Sequence, residues 1–129
     1  MAENPLVEWK DDNYTVFLKA LHHVCEHLAR SIAGDGEGAS KLVTCRVHEA
    51  RSEESAERLA KAVVGSPLVK AAMFGSDANW GRVLCAMGYS KAPFRPEYVD
   101  VKFLSPVGEI LVCRAGAGVD FDEEAAGSI

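Results

Sequence analysis

The sequence contains no block of Lys or Arg and no long apolar run, and no two of its cysteines are closely spaced. Nucleic-acid binding needs a basic face that displaces counterions from phosphates. A net charge of -5 with scattered Lys and Arg argues against that class. A membrane-spanning helix needs about 20 consecutive apolar residues, and no stretch approaches that. The N-terminus carries Glu3, Glu8, Asp11 and Asp12, where a secretory leader would carry positive charge and then an apolar core. These absences lead to an expectation of a cytoplasmic protein that binds neither nucleic acid nor membrane. Cys25, Cys45, Cys85 and Cys113 lie at least 20 positions apart, so no C-x-x-C metal or redox pair exists. Each sits in an apolar pattern and is expected as a reduced, buried thiol. His23 and His27 have the i,i+4 spacing of zinc sites. No third ligand or carboxylate in a recognisable frame accompanies them, so His22, His23 and His27 read as a solvated helix face and no metal site is expected.

What is present is an ordinary globular composition: 129 residues, 48% hydrophobic and 26% charged. A chain of this size buries about two-thirds of its unfolded surface. Residues 13–33 space Phe17, Leu21, Val24, Cys25, Leu28 and Ile32 at three- and four-residue steps, which predicts an amphipathic helix ending at Gly34. A loop over 34–40, GDGEGAS, follows. In residues 41–50, Val43, Cys45 and Val47 alternate with Thr44, Arg46 and His48, as in a half-buried strand. Ser52 can cap a second helix that has Glu53 and Glu54 in its first turn. Its buried face is Ala56, Leu59, Ala60 and Val63, and it ends at Gly65. Ser66-Pro67 starts a short helix over 67–74 that stops at Gly75. Asp77 is placed as the cap of a helix over 79–87, with Trp80, Val83, Leu84 and Met87 inward and Gly88 at its end. Residues 98–104 and 109–114 alternate and should pair as a hairpin through Ser105-Pro106-Val107-Gly108, which has the residues of a type I turn. The chain finishes FDEEAAGSI, a strand end and the first turn of a helix. This order gives an α/β or α+β class, with no internal repeat and no linker.

The glycine loop is the candidate for function. It does not fit a phosphate loop, because it follows a helix, precedes a strand and carries Asp35 and Glu37, which would repel an anion. A carboxylate flanked by glycines suits the opposite task of holding a cation such as an ammonium group, with the backbone leaving room for a close approach. A plain turn is the alternative.

Longer motifs extend this reading. GDGEGASK at 34–41 is similar to the DGEGATK segment of the ornithine acetyltransferase family. SPLVKAAMFGSDANWGR at 66–82 resembles that family's second signature, and AMGYS at 86–90, VDVKF at 99–103 and FDEEAA at 121–126 continue the match in order. The resemblance runs from about Asn13 to Ile129. It implies a layered α/β sandwich, of which residues 1–129 would be one partial domain, the middle of the nucleophile-bearing subunit. The implied activity is acetyl transfer from N-acetylornithine to glutamate in arginine biosynthesis. The implied nucleophile is an N-terminal threonine exposed by self-cleavage. No bound cofactor is implied, although some members also use acetyl-CoA as a co-substrate. By position, Glu37 matches the family's substrate-binding glutamate. The implied partners are the amino-terminal subunit and the remainder of the same subunit, two copies of each.

The sequence also departs from the family pattern. Ser40 stands where threonine is usual, and no Ala-Thr self-cleavage motif is present. Thr15 and Thr44 fall in the expected helix and strand. No catalytic residue is therefore assigned here. The nucleophile is expected upstream of Met1, further substrate contacts are expected beyond Ile129, and the chain alone is expected to be inactive. No chemical role is assigned to Asp77, Asn79, Trp80 or Arg82. Asp77 reads as a helix cap and Trp80 as a core residue, while Lys41 and Lys70 read as solvent or ion-pair residues. A second reading is a non-catalytic α/β interaction module that keeps the fold without the transfer reaction.

Overall fold

The computed structural model describes Asn4 and residues 6–129. Glu3, part of the acidic N-terminus, lies outside them. Contacts divide the chain into two compact units, one extending to Leu42 and the other from Val43 to Ile129.

The first unit is built on helix α1, Asp12–Gly34. Asp11 caps it, its carboxylate accepting from the Tyr14 N–H, which satisfies one of the donors a helix start leaves open. Gly34 is the last helical residue, and the Asp35 N–H closes the helix on the Ser31 carbonyl at 3.0 Å. The helix forms as its periodicity predicts, but no residue in it is buried. Leu21 is 45% exposed and Ile32 75%. The stripe that reads as a core face is thus a solvent face in this structure.

The second unit contains helix α2, Glu53–Gly65; α3, Pro67–Phe74; α4, Trp80–Tyr89; strand β1, Val101–Ser105; β2, Gly108–Arg114; β3, Ala117–Gly118; and α5, Glu123–Ser128. Ser52 and Ser66 cap α2 and α3, accepting from the Ser55 and Val69 N–H groups. Asp122 caps α5 by accepting from Glu124 and Ala125 at 2.9 and 3.0 Å. Strands β1 and β2 pair antiparallel with Ser105 opposite Gly108, so Pro106-Val107 is the two-residue connection. The expected first strand begins later than 98, because Pro96–Tyr98 is a 3₁₀ turn. Strand β3 is a third, unforeseen member of the sheet, pairing Gly118 with Cys113. The link from β2 to β3 has positive φ at Ala115 (49°) and Gly116 (76°), the handedness that tight two-residue hairpins need.

The core belongs entirely to this second unit. Leu59 and Val63 from α2, Val69 from α3, and Val83, Ala86 and Met87 from α4 cluster with Ala92, Val101, Val112 and Cys113. Fully burying one such side chain is worth about 1.5–3 kcal/mol. In residues 41–50, Cys45 and Val47 pack partly buried on this cluster while Thr44, Arg46 and His48 are exposed. Val43, expected on the same face, is exposed, so the alternation holds only at Cys45 and Val47, and no ladder forms there among the described residues. A strand needs a neighbour to accept its backbone groups as well as an apolar face. The cysteines divide as well. Cys113 is buried and Cys45 half-buried, but Cys25 and Cys85 are exposed. Cys25 lies on α1, where nothing is buried, and Cys85 is an exposed position of α4 between core residues. Helices and one small antiparallel sheet make a partial α/β fold.

Candidate functional site

The loop after α1 is ordered by a β-turn. The Ala39 N–H donates to the Gly36 carbonyl at 2.9 Å, so Gly36-Glu37-Gly38-Ala39 are its four residues. Gly38 occupies the third position with φ 74°, a conformation that suits glycine far better than residues with a Cβ. A Cβ built on Gly38 would meet nothing within 4 Å, so the backbone angle is what calls for glycine there. Glu37 sits at the second position, at the outer corner of the turn, and is exposed. Among the described residues no hydrogen bond or ion pair engages its carboxylate. Asp35, also exposed, contributes its backbone N–H to the end of α1. The result is an open corner with a free carboxylate, able to accept from a cationic donor and unsuited to a phosphate.

The second signature folds into the corner between α3 and α4, in the other unit. Asp77 does not cap α4. Asn79 does, its Oδ1 accepting from the Arg82 N–H at 3.0 Å. Asp77 instead accepts from the Asn79 side-chain amide at 3.0 Å, which turns the amide so that its oxygen faces the helix. The competition was local: Asp77 and Asn79 are both good cap residues two positions apart. The backbone decides it, because the Asp77 N–H is held by the Ala72 carbonyl at 2.9 Å and Ser76 takes φ 53°. Helix α4 starts later for the same reason, and runs through Gly88 to Tyr89.

Arg82 ties the corner together by donating from Nη1 to the Leu68 carbonyl of α3 at 3.2 Å. Trp80 is half-buried and packs against the core, as expected. Its ring lies on Gly118, where a Cβ would come within 2.8 Å of Cζ2. The Asp, Asn, Trp and Arg of this segment therefore act here as a scaffold. The part sequence reasoning missed is the cap on Asn79, which its position just before the apolar residues of α4 could have signalled. Lys70 is exposed, as is Lys41.

Burial pushes the Cys45 and Cys113 thiols above their ordinary range, and the Cys113 Sγ contacts the Val99 carbonyl at 3.7 Å. Neither is poised as a nucleophile, since the reactive form is the thiolate. His22, His23 and His27 are exposed on α1. His22 and His23 share a shallow concavity with Leu18, Lys19 and Glu26, and Glu26 pairs with Arg30 at 3.1 Å. Among the described residues no group of three or more His, Cys, Asp or Glu side chains is arranged to hold a metal ion. Among them, too, no helix is long and apolar enough to cross a membrane.

The model of the ArgJ family matches residues 1–129. The arginine biosynthesis bifunctional protein ArgJ of Symbiobacterium thermophilum is 49% identical over 129 residues, all of this chain and 31% of its own length. ArgJ 1 of Clostridium acetobutylicum is 48% identical over 126 residues, 98% of this chain and 31% of its own. The crystal structure of the arginine biosynthesis bifunctional protein from Bacillus halodurans superposes with a TM-score of 0.84 at 40% identity, covering 98% of this chain and 57% of that one. The chain thus spans about a third of the length of these curated relatives. Its partial α/β fold is the fold of the solved relative. Family model, relatives and fold agree over the whole sequence, and the chain belongs to the ArgJ family.

Proposed function

We propose that this chain supplies the substrate-binding segment of an N-acetyltransferase of arginine biosynthesis, one that moves an acetyl group from N-acetylornithine to glutamate. The observation that carries the reading is Glu37: an exposed, unpaired carboxylate on a glycine-bounded turn, within the segment that resembles the family's DGEGATK motif. Its role is to hold the ammonium group of the amino-acid substrate. A charge-assisted hydrogen bond of that kind is worth about 1.5–3 kcal/mol. The nucleophile is a threonine on polypeptide outside residues 1–129, freed by self-cleavage and activated by its own α-amine. On this reading the chain alone is inactive, needs no bound cofactor or metal, works in the cytoplasm, and uses acetyl-CoA only if the parent enzyme accepts it as a co-substrate.

The partners in this proposal are the amino-terminal subunit and the remainder of the nucleophile-bearing subunit, with residues 1–129 forming one partial domain of the latter. Two features support further polypeptide. The apolar stripe of α1 is exposed along its length. The alternating segment at 43–48 packs Cys45 and Val47 on the core without a strand beside it.

The deciding experiment assays acetyl transfer from N-acetylornithine to glutamate on the complete parent protein, with and without Glu37→Gln. The expected result is an active parent whose variant raises KM about ten- to a hundredfold with a smaller change in kcat. A parent that self-cleaves yet transfers no acetyl group would overturn the reading. A non-catalytic interaction module would then be the better account. Such a module should be monomeric and heat-stable by itself, whereas an enzyme segment should bind a hydrophobic dye.

A further inference from the structure

We draw no further inference here: the strongest candidate, the exposed apolar stripe of α1 formed by Phe17, Leu21, Val24, Leu28 and Ile32, belongs to the partner polypeptide already proposed, and nothing in the structure shows what covers it.

Discussion

Helices α1 and α4 carry the same kind of apolar stripe, yet they end in opposite environments. In α4, Val83, Ala86 and Met87 are buried against α2, α3 and the hairpin. In α1, which is more than twice as long, nothing is buried. Periodicity sets which face of a helix would leave water; a packed partner is what makes it leave. The local signals of α1 are complete, with an Asp11 cap, an Asp35 closure and an amphipathic period between them. Burial of its apolar face is what those local signals do not supply. The same contrast separates residues 41–50 from β1 and β2, where the alternating faces are similar but only the hairpin has a ladder.

Substitutions can test this contrast from its strongest point to its weakest. Val112 has no exposed surface. Val112→Ala should destabilise the second unit by about 2–3 kcal/mol, through lost transfer energy and the cavity left behind, read as a shifted denaturation midpoint. Gly116→Ala should cost about 2 kcal/mol. It strains a left-handed backbone and puts a methyl 2.5 Å from the Pro96 carbonyl oxygen. Asn79→Ala removes the α4 cap and should cost about 1 kcal/mol; an equal loss from Asp77→Ala would mean that orienting the amide matters as much as supplying it.

Leu21→Ala should change stability by less than about 0.5 kcal/mol in this chain, since an exposed side chain forfeits little on truncation. A loss as large as that of Val112→Ala would show that the stripe is covered after all, and would collapse the distinction between the two helices.

The thiols give the mildest test. Cys25 and Cys85 should react readily with a thiol reagent near neutral pH, and Cys45 and Cys113 slowly. Because burial in the folded state holds the Cys45 and Cys113 thiols above their ordinary value, the unfolded chain releases their protons first as pH rises. Stability should therefore be undiminished by these two thiols below pH 9 and fall above it. Denaturation midpoints measured between pH 8 and 10 check the sign.

Much of the second unit was legible without coordinates. Ser52 and Ser66-Pro67 fix the starts of α2 and α3 through local hydrogen bonds that need no distant partner. The Ser105–Gly108 turn fixes the hairpin register in the same way. Less legible was β3, because two residues carry no periodicity and Gly118 reads as a turn residue until the Trp80 ring is laid on it. The Glu37 loop was legible as a motif and as a glycine-rich turn. That Gly38 holds the positive φ, while Gly36 accepts the turn's hydrogen bond, required the backbone.

By itself the sequence determined what is local: the caps of α2 and α3, helix periods and the hairpin turn. Those depend on interactions between residues a few positions apart, which the order of side chains specifies directly. Tertiary structure alone decided which apolar faces are buried, whether an alternating segment acquires a ladder, and which cysteines are shielded. Each of these depends on a neighbour far along the chain or outside it, and an apolar pattern records the need for such a neighbour without supplying one.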